Sequence, residues 1–193
     1  MKILFAFYVA TLFLFINGCK DSTTNPIPPA SRYTLMESGF ENQGQPSLSN
    51  WKDGYPIYGL KTSRYSFSND VPTDGGQWSL KLNPVDSNYS TLRFTVLPEQ
   101  PSQSKQFVLT YLRKDLFSSH LYNVSLSAYS GSNGYSIPVQ TKDSTNWVQD
   151  TIKYSSNSLT IDSLVVFITM FAPNTIIDTS KYILLDKFKL EQF

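Results

Sequence analysis

Cys19 is the only cysteine of the chain, and its surroundings state what a thiol there could do. It follows a basic start, Met1-Lys2, and a run from Ile3 to Ile16 (ILFAFYVATLFLFI) that is apolar except for Thr11. An export signal has a core of about 7–15 apolar residues, whereas a membrane-spanning helix needs about 20. The run fits the first. Ile16-Asn17-Gly18-Cys19 has the layout of a lipobox, with an aliphatic residue three before the cysteine and a small one just before it; Asn17 stands where Ala or Ser is usual. The thiol in that place forms a thioether to diacylglycerol. Each buried methylene contributes about 0.8 kcal/mol, and stable anchoring takes more than one chain, which a lipidated and N-acylated Cys19 supplies. Residues 1–18 are therefore expected to be a lipoprotein signal peptide and Cys19 the membrane anchor.

Other chemistry is scarce. His120 is the single histidine, and it sits in Ser118-Ser119-His120-Leu121 without any Gly-x-Ser-x-Gly elbow in the chain. The shortage of His and Cys argues against zinc. Paired carboxylates for glycoside cleavage need a deep cleft, for which short loops leave little room. No enzyme is expected. Beyond Lys2, which is the only charged side chain before Cys19, basic and acidic residues balance and are interspersed. Nucleic acid, which requires a concentrated positive face, is an unsuitable partner.

The elements that would position a site come next. Residues 19–32 form the lipidated cysteine and a tether (KDSTTNPIPPAS from Lys20) rich in Ser, Thr and Pro, with almost nothing to bury. Lys20-Asp21 is similar to the short charged signal by which some Bacteroidetes lipoproteins reach the cell surface, so outer-membrane placement, even surface exposure, is the expected localisation. Residues 33–193 lack any helical period. Alternation recurs instead: Tyr122, Val124, Leu126 and Ala128 against Asn123, Ser125 and Ser127; Leu164, Val166, Ile168 and Met170 against Val165, Phe167 and Thr169; Leu80 and Leu82 against Ser79, Lys81 and Asn83. Further strands are expected at Tyr55–Leu60, Arg64–Phe67, Tyr89–Leu97, Phe107–Leu112, Ser136–Thr141, Asn146–Tyr154 and Tyr182–Leu190, with turns at Asp74-Gly75-Gly76 and Ser132-Asn133-Gly134. About ten strands at this spacing mean one all-β domain, an antiparallel sandwich or barrel. With no further cysteine, its core alone must hold it together. On the closing strand a period of two puts Tyr182, Leu184, Asp186, Phe188 and Leu190 on one face, so Asp186 is expected to point at the core or its rim. A buried carboxylate must be paired, hydrogen-bonded or metal-bound.

Several landmarks follow in order: Glu37-Ser38-Gly39-Phe40-Glu41, Leu48-Ser49-Asn50-Trp51, Gly75-Gly76-Gln77-Trp78, Tyr111-Leu112-Arg113, Thr145-Asn146-Trp147 and the closing Tyr182–Leu190 with Leu185-Asp186. This order resembles the jelly-roll carbohydrate-binding modules of the galactose-binding-like superfamily over nearly the whole of residues 33–193. The resemblance implies a jelly-roll β-sandwich, core positions for Trp51 and Trp147, and a structural calcium site on Glu37, Glu41 and Asp186, completed by main-chain carbonyls and Asp70 or Asn69. Backbone amides of the first loop are the alternative partners of Asp186. The scaffold serves sugar binding, adhesion and spacing alike.

Sugars stack their C–H faces on exposed rings. Trp78 beside Gly75-Gly76, Tyr55 and Tyr58 in DGYPIYG, and Tyr135 in SNGYS lie near glycines that would let a ring stand clear; Tyr89 and Tyr129 sit at strand ends. Arg64, Gln77 and Asn133 could donate hydrogen bonds to hydroxyls. The expectation is a non-catalytic, membrane-anchored glycan binder, with an adhesive or structural envelope protein that binds another protein as the alternative.

Overall fold

The computed structural model describes residues 32–54, 64–83, 90–99, 105–115, 122–138, 144–157, 159–171 and 182–193. Cys19, His120, Tyr89, Tyr55, Tyr58 and the strand expected at Tyr55–Leu60 lie outside them. The described chain is all β: β1 (Tyr33–Ser38), β2 (Glu41–Asn42), β3 (Gln45–Pro46), β4 (Lys52–Asp53), β5 (Tyr65–Ser68), β6 (Ser79–Leu82), β7 (Ser90–Val96), β8 (Lys105–Asp115), β9 (Tyr122–Ser130), β10 (Asn133–Pro138), β11 (Val148–Ser156), β12 (Ser163–Met170) and β13 (Ile183–Gln192). One antiparallel sheet has the order β11-β8-β13-β6-β5, with β1 also paired to β13; the second has the order β10-β9-β12-β7-β4; β2 and β3 form a small hairpin. Both larger sheets send side chains into one apolar core. This is the antiparallel β-sandwich expected from the alternation, and Ser31–Phe193 forms one compact unit.

Alternation explains most of the burial. On β9 and β12, Val124, Leu126, Ala128, Leu164, Val166 and Ile168 belong to the core, while their neighbours Ser125, Ser127, Val165 and Phe167 pair with one another on the outer face. The hairpin between β9 and β10 turns at Gly131-Ser132, earlier than expected, with Gly131 at φ 56°. Gly134 is thereby released from the turn into β10, opposite Tyr129.

β13 departs from the expected period. Asp186 pairs with Leu112 and Lys189 with Thr110, so Lys187 and Phe188 together face Tyr111. This is a β-bulge, and Lys187 takes the left-handed conformation (φ 52°) found at the first residue of the G1 type. One extra residue reverses which parity faces inward. Leu184 and Asp186 therefore lie on the outer face with Leu112 and Lys114, whereas Ile183, Leu185, Phe188 and Leu190 enter the core. The expectation that residues 182, 184, 186, 188 and 190 share a face is corrected: Asp186 is opposite in sense to Phe188. Leu184 is fully buried and yet outside the core cluster, as an outward residue should be.

Trp51 is a core residue as expected, 6% exposed. Its indole Nε1 donates to Ser38 Oγ at 3.2 Å. Trp147 is not: it is half-buried just before β11, and its Nε1 donates to Asp70 Oδ1 at 3.1 Å. Asp70 also receives Lys114 Nζ at 2.6 Å, so Trp147 covers an ion pair rather than filling the interior.

Candidate functional site

Two places concentrate polar side chains against the sheets. The first is a cavity of about 480 Å³ at the β13 bulge. Its floor is the outer face of β8 and β13, with Thr110, Leu112 and Lys189; its walls include Glu37, Glu41, Asp74, Gly76 and Asp186. Asp186 is 1% exposed. Its Oδ1 accepts from the Lys187 amide at 2.8 Å, while Oδ2 is buried without a hydrogen-bond partner. Burial pushes this carboxyl up to about 6, and the charge of Glu41 adds to the rise; the Lys187 amide opposes it.

Gly75-Gly76 is what brings the two carboxylates under one loop. Asp74 turns the chain in the left-handed conformation (φ 60°). A Cβ on Gly75 would lie 2.9 Å from Asp186 Oδ2 and one on Gly76 1.9 Å from Glu41 Oε1, so no other residue fits either position without displacing an acid. The Gln77 amide then donates to Glu41 Oε2 at 2.6 Å. In the sequence these glycines read as a turn; their tertiary role is close approach.

A hard cation requires oxygen ligands, and a buried, unpartnered carboxylate oxygen is one of them. Glu41 and Asp186 fit that role. Glu37 does not join them: it lies on the outer face of β1 opposite Lys189, and among the described residues no three Asp, Glu, His or Cys side chains come close enough to hold an ion. Glu37 lines the same cavity from β1, across the bulge from Asp186, whereas Glu41 and Asp186 meet under the Gly75-Gly76 loop.

The second place is the outer face of β4, β7, β12, β9 and β10. Lys52, Arg93, Phe167 and Ser125 form a row across four strands, about 14 Å long at the ordinary strand spacing. Thr95, Val165, Ser127 and Ser136 form the next row. An outward face of a sheet is ordinarily wet, but here Ser125, Ser127 and Val165 are 7%, 4% and 7% exposed and Thr91 1%. These outward side chains are shielded from solvent. Tyr129 lies at the end of this face with the ring against Gly134, whose missing side chain makes the room: a Cβ there would meet Tyr129 Cε1 at 2.8 Å.

The sugar-site residues expected from sequence are not gathered in either place. Arg64 is fully buried, so it cannot serve a surface ligand. Trp78 is half-buried and pinned to the β2–β3 turn by its Nε1, which donates to the Gly44 carbonyl at 3.1 Å; Gln77 is exposed beside it. Tyr135 is 40% exposed on β10 with Asn133 at the start of that strand, and β10 borders β11. From β11 to β6 is three strand spacings, about 14 Å, so Trp78 and Tyr135 belong to different edges of the sandwich. In the sequence Phe167 is only the outward partner of a core strand; its place beside Arg93 makes it a candidate.

No protein-family model and no curated protein matches the chain. Solved structures do. The tandem CBM22-1–CBM22-2 domain of Paenibacillus barcinonensis Xyn10C superposes with a TM-score of 0.55 at 15% identity, over 83% of this chain and 50% of that one. The CBM22-1 xylan-binding domain of the same protein gives 0.51 at 14% identity, over 84% and 96%. The C-terminal family 22 carbohydrate binding module of Clostridium thermocellum Xyn10B gives 0.51 at 15% identity, over 81% and 92%. At such identities the likeness is one of fold.

Proposed function

We propose that this is a non-catalytic glycan-binding module whose binding surface is the outer face of the five-stranded sheet. The observation that carries the reading is the company kept there: two rings, Tyr129 and Phe167, beside outward-pointing hydroxyls that are nine-tenths buried. Rings offer flat apolar platforms to sugar C–H faces, and shielded hydroxyls offer oriented hydrogen bonds. A shared fold with a xylan-binding domain supports the same reading.

The test pairs affinity with stability. Glycan-array screening of the protein, followed by titration with the best soluble ligand, should show Tyr129→Ala and Phe167→Ala each weakening binding about tenfold or more, ~1.4 kcal/mol, with the folded fraction unchanged. Trp78→Ala should leave affinity alone. Retained affinity in both ring variants would remove the site from this face.

The module works outside the cytoplasm, held to a membrane of the cell envelope through Cys19, with the Ser/Thr/Pro tether lifting it from the lipid. The apolar run, Gly18 and the single cysteine support this. Cys19→Ser should abolish incorporation of labelled fatty acid and release the protein from membrane fractions; fatty acid still incorporated in that variant would end the lipoprotein reading. Calcium, held by Glu41 and Asp186 with main-chain carbonyls, would serve structure at the bulge rather than sugar directly.

A further inference from the structure

Several basic side chains among the described residues are matched. Arg113 Nε meets Asp150 at 2.6 Å, Lys114 meets Asp70 at 2.6 Å, and Lys189 meets Glu191 at 2.8 Å. Lys81 sits 4.0 Å over the Tyr182 ring. Lys52, Arg93, Lys153 and Lys187 have no such ion pair among the described residues, and of these the cross-strand pair is Lys52 and Arg93. They are directly opposite one another on β4 and β7, on the same outer face, where Cβ atoms of such pairs stand about 4.5–5.5 Å apart and like charges destabilise the sheet. Among the described residues neither has an ion pair or a hydrogen bond to its side chain. The protein's net charge is only +1, so this is a local concentration of charge, not a generally basic surface. A natural sheet that sets two cations side by side, with no ion pair to either among the described residues, gives up stability for something else, and such violations gather at functional sites.

The row decides what that is. Phe167 is the cross-strand partner of Arg93 on the other side, so a sugar ring stacked on Phe167 has Arg93 one strand spacing away and Lys52 one further, about 5 and 10 Å. The guanidinium fork matches a carboxylate or a sulfate bidentately, and the ammonium adds a mobile point charge. We infer that the glycan bound on this face is anionic, its uronate or sulfate groups held between Arg93 and Lys52. This rests on the glycan-binding reading and narrows it to a substrate class. Two cations are too few for the phosphate tracking of nucleic acids.

The experiment uses the full chain in detergent with four probes: polygalacturonate and dextran sulfate, and galactan and dextran as their neutral counterparts. At least one anionic probe should bind at least tenfold more tightly than its counterpart, with affinity falling as salt rises. Polygalacturonate alone would assign carboxylate recognition and dextran sulfate alone sulfate recognition. Arg93→Gln should weaken that binding about tenfold, and Arg93→Gln with Lys52→Gln should abolish the preference. The double variant should melt no lower than the parent, because a repulsive pair has been removed; a merely structural pair would show the reverse. Binding of neutral probes only, unaffected by either substitution, overturns the anionic inference and leaves the glycan reading standing. Anionic binding that survives the double substitution also overturns it. If neither these probes nor a broad glycan array bind, the glycan reading itself falls and this inference with it.

Discussion

Phe188→Ala will cost about 3–5 kcal/mol of stability, the range for emptying a buried aromatic site. Phe188 is fully buried. Its ring stacks on Tyr111 at 5.0 Å and 9°, and presents edges to Trp51 at 5.3 Å and Phe40 at 5.8 Å. Trp51 in turn stacks on Phe40 at 5.6 Å and meets Phe94 at 5.5 Å, so one truncation removes a partner from three rings. Aromatic pairs contribute about 0.5–1.5 kcal/mol each beyond their burial, and the rings left behind are too rigid to close the gap. For a domain of this size the melting temperature should fall by roughly 10 °C. Urea unfolding followed by far-ultraviolet circular dichroism measures it. A loss below about 1 kcal/mol would mean that Phe188 faces solvent and that the bulge at Lys187 is not present. Tyr135→Ala, at an exposed edge, is the control and should change stability by less than about 1 kcal/mol.

The second large effect is a pH-dependent loss of stability that calcium cancels. In chelator the folded protein holds the Asp186 proton up to about pH 6, against 3.8 for the ordinary side chain. The folded state thus binds the proton more tightly than the unfolded state, so the stabilisation is complete below about pH 4 and is lost as pH rises through 6. The loss is on the order of 2–3 kcal/mol, since one pKa unit is about 1.4 kcal/mol. Calcium binds the ionised carboxylate, so at pH 7 it should raise stability over the chelator value by about 2.7 kcal/mol when the ion is at 100 times its Kd, which offsets the loss and flattens the profile. Asp186→Asn keeps the shape and removes the titrating group; it should flatten the chelator profile, raise stability at pH 7 without calcium, and abolish the calcium response. Melting curves from pH 4 to 8, with calcium and with chelator, read all of this. A calcium-independent melting temperature at pH 7 would dismiss the metal, and a flat chelator profile would dismiss the buried acid.

The sequence by itself determined the fold class. Alternation on β9 and β12 is unbroken, and a period of two leaves each residue only one choice of face, so Val124, Leu126, Val166 and Ile168 were legible as core and their neighbours as outward. Trp51 was expected in the core only from the family resemblance, which placed Trp147 there too, where it is not. Tertiary structure decided what period counting cannot reach. An inserted residue looks like any other in a strand-like run, so Lys187 concealed the bulge that turns Asp186 outward and Phe188 inward. Gly75-Gly76 has the composition of a turn, and only the approach of Glu41 and Asp186 from two distant strands shows that a side chain there would displace an acid. Trp78 and Tyr135 shared a local signature, rings beside glycines, but sheet order put them on different edges. The row of Lys52, Arg93, Phe167 and Ser125 is assembled from four strands far apart in the chain. Local pattern fixes which way a side chain points; which side chains become neighbours is set by strand pairing, and that information is not local.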